Sequence, residues 1–344
     1  MKRRFNLTLW LLGLGVVVCA PRAVAEEPPP VIKIATLNSE FLVKSKVHIK
    51  FGLPFTLSDA DAAAWNAAGF RDARLKEASQ AVAKVIKKLD ADVIALCEVG
   101  DEADVEVLRS EVALLGLDYP NIAVCDSTDR TTGQHVAVLS KHPFEQIIRQ
   151  IAGRESYYGE LDDPESESDT GISKGLHVMF KARNKRINVF VLHLSSERGG
   201  HEQDEQRIAQ ASIARRTYLP RLNDGEHVVV LGDLNDYRGQ PTLRRLRGLD
   251  DIYPDLIQTG GPVFNRQRSN ESSQDYNARI GEHYTFQFDG QKNQIDHILI
   301  SQSIRSVCKP GGVRIAFVDA NEKIGSTEHL ATDHRAVMLE LELK

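Results

Sequence analysis

Cysteine is scarce in this 344-residue chain, with four copies at Cys19, Cys97, Cys125 and Cys308. No two are closely spaced, which speaks against a zinc site. Three lie beyond the first thirty residues, an odd number, so at least one thiol stays unpaired within the chain. At most one bridge can form, and a disulfide-dependent fold is not expected; Cys97 and Cys125 sit in apolar runs and read as buried thiols. Basic charge is also in deficit, with 43 Lys and Arg against 48 Asp and Glu. A dedicated DNA-binding module draws its affinity from basic contacts to phosphate, and this balance argues against one. It leaves room for an enzyme that meets phosphates through a bound cation. No internal repeat and no low-complexity linker divides the sequence. Its uncharged apolar stretch, Leu7–Ala20, is shorter than the roughly 20 residues needed to span a bilayer, so no stable membrane insertion is expected.

That stretch follows Lys2, Arg3 and Arg4 and leads to Ala23-Val24-Ala25, a small-x-small cleavage pattern. Residues 1–25 therefore read as a secretory signal peptide, with a periplasmic or extracellular destination. Val18, before Cys19, is bulkier than lipoprotein processing favours. Residues 26–30 form a short tether, and 31–344 a single domain. Removing the leader takes away four basic residues and leaves 39 basic against 48 acidic side chains. The remaining chain suits one large α/β or sandwich domain, expected as a monomer.

Val31–Leu37 reads as a strand, and 41–70 as a long connection with a short helix over Ala60–Ala68. Arg71–Leu89 keeps Leu75, Ala78, Val82, Val85, Ile86 and Leu89 at helical spacing, and Asp92–Cys97 follows as an apolar strand. A helix over Ala103–Leu115 comes next, then strands at Asn121–Cys125, His135–Leu139 and Glu145–Ile151. Glu155–Asp169 is acidic and reads as a solvated loop. A hairpin joins His177–Lys181 to Asn188–Leu194, a helix covers Gln203–Leu222 and a buried strand Val228–Leu231. Thr259–Gly281 reads as a surface loop. Strands at Tyr284–Phe288, Ile295–Ile300, Arg314–Val318 and Ala336–Leu343 close the chain. This order fits two sheets packed face to face with helices outside.

Six segments place an acidic, amide or imidazole side chain where an apolar run ends: IATLNSE, VIALCEVG, FVLHLSS, VVLGDLND, QIDHILIS and ATDHRAV. Strand ends share one edge of a sheet, so Asn38, Glu40, Glu98, His193, Asp233, Asn235, Asp296, Asp333 and His334 are candidates for a common site. Five carboxylates, two amides and two imidazoles without cysteine suit a hard divalent cation and a phosphate ester. In GDLND, Gly232 lets the backbone turn sharply, and Asp233 and Asn235, two apart, face the same way if extended. A carboxylate there can activate water while the amide donates to a phosphate oxygen. Asp296 can hold the imidazole of His334 protonated, and His193 can donate to a phosphate or a leaving oxygen. Arg130, in the turn 126–133, and Ser196 are further phosphate-binding candidates. Each feature also has a bland explanation as a polar strand end or cap.

Together these residues resemble the endonuclease/exonuclease/phosphatase superfamily, over about Val31 to Leu343. Asn38 and Glu98 resemble its amide and metal-binding glutamate, and GDLND its GD-x-N pair. His193 resembles the histidine of the DNase I and sphingomyelinase branches. Asp296 resembles the partner of the final histidine, and Asp333-His334 the terminal SDH motif with Thr332 in place of serine. The resemblance implies a four-layer α/β/β/α sandwich of the DNase I-like kind, with metal at the sheet edges. It places Glu98, Asn38, Glu40 and Asp333 around Mg2+, with Mn2+ or Ca2+ as alternatives. Leu231 and Asp296-His297-Ile298 depart from the inositol 5-phosphatase pattern, whereas IDHIL is similar to secreted bacterial nucleases. The expected activity is phosphodiester hydrolysis on nucleic acid; a phospholipid or sphingomyelin-type substrate, a phosphomonoester, and a non-catalytic module of the same fold are the rivals.

Overall fold

In the computed structural model, which describes residues 31–160, 163–249, 256–258, 269–315 and 322–343, the strands divide their apolar residues between two surfaces. The leader and tether at 1–30 lie outside these residues. The first half runs β1 (Val31–Leu42), α1 (Asp59–Trp65), α2 (Phe70–Leu89), β2 (Val93–Val99), α3 (Glu102–Leu114), β3 (Asn121–Val124), β4 (His135–Ser140), β5 (Phe144–Ile148), β6 (Glu155–Tyr158) and β7 (Glu167–Thr170). Then come β8 (Gly175–Ala182), β9 (Lys185–His193), α4 (His201–Asn223), β10 (His227–Asp233), α5 (Pro241–Arg247), β11 (Leu256–Gln258) and α6 (Ser273–Ile280). The chain closes with β12 (Phe286–Phe288), β13 (Gln291–Asn293), β14 (Asp296–Ser301), α7 (Gln302–Arg305), β15 (Cys308–Ile315) and β16 (Val337–Glu342).

One sheet has the order β15-β16-β1-β2-β4-β3 and the other β11-β14-β10-β9-β8-β5. Side chains two apart share a face. Ile32, Ile34, Val93, Ala95, Val136 and Val138 of the first sheet form one core with Val178, Val189, Val191, Val229, Leu231 and Ile298 of the second. The alternate residues Ala35, Leu37, Ile94 and Leu96 pack with Val82 and Ile86 of α2 and Leu108 and Val112 of α3. On the far side Leu192, Val230 and Leu299 pack with Ala211 and Tyr218 of α4 and Leu243 of α5. Each fully buried Leu or Ile contributes about 1.5–3 kcal/mol, so three such layers dominate the fold. This is the expected four-layer α/β/β/α sandwich.

Local signals set the boundaries. Asp101 caps α3 by accepting the N–H of Ala103 and Asp104, and Asp90 ends α2 in the left-handed region. The acidic segment 155–169 differs from expectation. It contributes β6 and β7, an antiparallel pair that packs on α4 through buried Tyr157. Two of its charges are paired, Asp169 with Arg154 and Glu155 with Arg216 of α4, while Glu165 and Glu167 are exposed. The loop expected at 259–281 contains α6, capped by Ser272; residues 259–268 lie outside the described residues. The strand expected at 314–318 begins earlier, at Cys308, and 316–318 are likewise outside them. Cys97, Cys125 and Cys308 are all free, and Cys97 and Cys125 are buried.

Gly232 does not turn the chain. It stays in β10, paired with His297 and Leu192. Its φ is +133°, and a Cβ there would lie 2.0 Å from the carbonyl oxygen of Leu192. Glycine is required by the close approach of β9 rather than by a bend. We expect Gly232→Ala to lower stability by about 3 kcal/mol or more in urea denaturation, because backbone cannot yield to the methyl group. Gly69→Ala, at a left-handed position with open space around it, should cost about 1 kcal/mol. Equal losses would refute the crowding explanation.

Candidate active site

Strand register brings the expected residues together. β1 runs parallel to β2 with Asn38 opposite Cys97, so Asn38 and Glu98 leave the first sheet at the same edge. β9 runs parallel to β10 with His193 opposite Asp233, and β14 lies antiparallel with Asp296 opposite Asp233. The side-chain amide of Asn38 then joins the two sheets. It donates to Glu98 Oε1 at 3.1 Å and to Asp233 Oδ2 at 2.9 Å. His193 Nε2 stands 3.9 Å from both of those carboxylates. Asp296 Oδ2 is 2.8 Å from His334 Nδ1, and His334 Nε2 is 3.7 Å from Asp333 Oδ1.

The backbone is strained here. Glu40, Phe41, Glu98 and Asn235 all have positive φ, between +45° and +58°. L-residues visit this region at a cost, and packing must hold them there. The amide N–H of Phe41 donates to Glu98 Oε2 at 3.0 Å, that of Glu40 to Asn38 Oδ1 at 2.9 Å, and that of Asn235 to Asp233 Oδ1 at 3.0 Å. Asp233 and Asn235 are therefore not two residues of an extended segment. A tight turn closed on the Asp233 carboxylate brings them together. Asn235 Nδ2 donates to the Leu194 carbonyl at 3.0 Å.

Several supports escaped the sequence. Lys50 is fully buried, and its ammonium donates to the carbonyls of Ser39 and Ala331 and to Glu40 Oε2 at 3.4 Å. It thus clamps the end of β1 to the turn that carries Asp333 and His334. Thr332 strengthens the tie, its hydroxyl donating to the Asn38 carbonyl at 2.7 Å and accepting from the His334 N–H at 3.0 Å. Arg207, also buried, holds the carbonyls of Ser195 and Ser196. Lys174 Nζ lies between Asp129 and Gln134, 3.4 Å from each. No spacing rule marks a lone lysine as internal; for Lys50 only its place within the apolar VHIKFGL offered a hint.

Two expected phosphate binders are not brought in. Arg130 is exposed on its turn and makes no side-chain hydrogen bond or ion pair among the described residues. Ser196 is exposed, and its hydroxyl caps a short helical turn by accepting the Arg198 N–H.

The two imidazoles are driven apart. Burial pushes His193 well below 6.5, and the nearby positive charges of Lys174 and His334 push the same way. Burial would also lower His334, but Asp296, with Asp333 and Asp233 behind it, raises it well above 6.5. His193 is therefore neutral and His334 an imidazolium at pH 7. Asp233 is raised to about 7 by burial and by Asp296, against the attraction of His334. Glu40 is raised to about 7 by burial and by Asp333 and Glu98, with Lys50 opposing. Asp333 is raised too, by burial first.

These donors fit a hard divalent cation. Asp333 Oδ1 and Asp296 Oδ1 are buried without a hydrogen-bond donor among the described residues. Glu98, His193 and Asp233 can point one atom each at a common centre, as can Asp233, Asp296 and His334. The second grouping is less suited to metal, because His334 is protonated by Asp296. Glu40 and Asp333 fall in neither grouping, although the charges of Asp333 and Glu98 act on Glu40 across the same site; oxygen donors such as Glu98 and Asp233 are what Mg2+ accepts.

A sequence profile of the Endonuclease/Exonuclease/phosphatase family matches residues 63–334, ending on His334. No curated protein sequence matches. Among solved structures, beta toxin from Staphylococcus aureus is similar with a TM-score of 0.53 at 15% identity, over 90% of this chain and 99% of that one. A double mutant of the same toxin, solved with bound magnesium ions, has a TM-score of 0.52. Truncated TDP2 from Caenorhabditis elegans has a TM-score of 0.51 at 14% identity, over 91% of this chain and 98% of that one. An endonuclease/exonuclease/phosphatase from Beutenbergia cavernae has 0.51 at 17%, over 91% and 72%. At these identities the likeness shows the shared fold.

The raised carboxylates have a consequence for stability. Asp233 and Glu40 titrate near 7 in the fold and near 4 when unfolded, so the fold binds more protons and loses stability as pH rises through 7. With chelator present, the melting temperature should fall between about pH 6 and about pH 8, and Mg2+ should restore more of it at the higher pH. Scanning fluorimetry at both pH values checks this; an equal Mg2+ effect would contradict it.

Proposed function

We propose that this chain, which belongs to the Endonuclease/Exonuclease/phosphatase family, is a metal-dependent phosphodiesterase and, within that class, a nuclease that hydrolyses DNA or RNA by attack of water on phosphorus. One observation carries the reading: Asn38 and Glu98 of one sheet, with His334 from the turn before its strand β16, meet Asp233, His193 and Asp296 of the other at one site. Mg2+ is the proposed cation, supported by the oxygen donors and by the magnesium-bearing toxin of the same fold. Glu98 would hold it, with Asn38, Glu40 and Asp333 directly or through water. When bound, the cation polarises the phosphoryl oxygen as a Lewis acid.

The chain's own groups do the rest. Asp233, raised to about 7, is suited to take a proton from the attacking water near neutral pH. Asp296 holds the His334 ring, whose positive charge meets the charge that grows on the non-bridging oxygens. Asn235 spends one N–H on Leu194, and its other N–H has no acceptor among the described residues, which leaves it for phosphate. Neutral His193 donates a hydrogen bond to the phosphate or the leaving oxygen rather than carrying charge.

Among the described residues no helix is long and apolar enough to cross a membrane. Export through the leader, giving a periplasmic or secreted monomer, is part of the same proposal; cell fractionation and light scattering test it. A phospholipid or sphingomyelin-type phosphodiester is the rival substrate.

Asp233→Asn and His334→Ala should each lower turnover by about 10³-fold or more with the fold retained, and chelator should abolish it in the native protein. Assays on plasmid DNA, RNA, bis-nitrophenyl phosphate and sphingomyelin, with circular dichroism as control, check this. A near-native rate in either variant would refute the assigned roles.

A further inference from the structure

We infer that Phe288 and Arg198 form a stacking platform for the base of the nucleotide flanking the scissile phosphate; the inference rests on the nuclease reading and specifies how the substrate is gripped. Phe286 and Phe288, two apart in β12, share one face of the strand, with rings parallel to within 8° and centroids 6.4 Å apart. Phe286 in turn lies 4.7 Å from the His334 ring. The guanidinium carbon of Arg198 sits 5.1 Å from the Phe288 centroid. A line of flat groups therefore leads from the catalytic imidazole to the surface.

The line is rigidly tied to the chemistry. The Gln287 N–H donates to the Asp333 carbonyl at 3.2 Å, and the Arg335 N–H to the Thr285 carbonyl. The Thr285 hydroxyl accepts from the N–H groups of Ile295 and Asp296, both at 3.0 Å. The hairpin β12–β13 thus keeps register with both Asp296 and His334. Phe288 is 56% exposed, an unusual position for a large apolar ring, and the ring contacts it makes among the described residues are with Phe286 and Arg198. No carboxylate pairs with Arg198 among the described residues, so its charge remains to meet a phosphate next to the stacked base.

A planar, anionic ligand suits these groups better than a lipid surface. Phe288 is the hairpin's one exposed aromatic residue. Its neighbours at the tip, Gln287, Asp289 and Gln291, are polar or acidic, and all of them, with Gly290, are exposed. Such a tip would resist entry into acyl chains.

The test uses oligonucleotides carrying 2-aminopurine beside one cleavable linkage, bound to the full chain in chelator. We expect quenching with the native protein and its loss in Phe288→Ala, with partial loss in Arg198→Gln. With Mg2+, the native protein should favour a base-bearing site over one with a tetrahydrofuran spacer by about tenfold in KM, and Phe288→Ala should lose that preference. If native protein and Phe288→Ala both treat the two substrates alike, the platform is refuted while the nuclease reading stands. If Phe288→Ala keeps the preference but no longer sediments with sphingomyelin vesicles, the surface belongs to membrane and the platform is also refuted. Failure of the native protein itself to cleave any nucleic acid, with another phosphodiester hydrolysed, would instead remove the nuclease reading and the platform with it.

Discussion

The Asn38 carboxamide ties the two sheets together at the site, with the His334–Asp296 bond as a second tie. Both acceptors of the Asn38 side-chain amide are carboxylates, Glu98 from its own sheet and Asp233 from the other. Asn38 has no exposed surface, so these bonds form without competition from water. They also place two like charges within reach of one another, a state the fold tolerates because donors surround it. Phe41 and Asn235 supply backbone N–H groups to the same two carboxylates, and Lys50 and His334 supply positive charge nearby. The relative position of the sheets, and hence of every strand end, is read out at this amide.

The same pocket holds two histidines in opposite protonation states. His334 gains its proton from Asp296 at 2.8 Å, while His193, equally buried, has no carboxylate closer than 3.9 Å and faces two cations. Environments that separate like groups in this way assign them different tasks, one to carry charge and the other to donate without it. The strained φ of Glu98, Glu40 and Asn235 belongs to the same design, since regular strand geometry would aim those side chains elsewhere.

Much of this was legible in the sequence because apolar alternation ends abruptly at functional residues. VIALCEVG and VVLGDLND announce both a buried strand and the group at its tip, and the helix over 71–89 shows its face through Leu75, Val82 and Ile86. What stayed hidden were features set by tertiary contact. Strand composition could not be read in Glu155–Asp169, where the charges suggest a solvated loop but the two ends are held, Glu155 by Arg216 of α4 and Asp169 by Arg154. The burial of Lys50 carried no sequence signal, since it depends on carbonyls from residues 39 and 331, far apart in sequence. Asp233 and Asn235 meet through a turn and not along an extended segment, as the left-handed Asn235 cannot be inferred from spacing. Gly232 likewise reflects a neighbour, Leu192, rather than its own turn.

The position of β16 has a temporal consequence. This last strand pairs with the first, Val337 standing opposite Thr36, and Thr332 just before it bonds to Asn38. A ribosome that has made the first three hundred residues has therefore produced neither the His334 imidazole nor β16. Contacts of such long sequence separation form late and slowly. The Asp296–His334 pair and the pairing of β16 with β1 thus cannot form until residues 334–342 have been made.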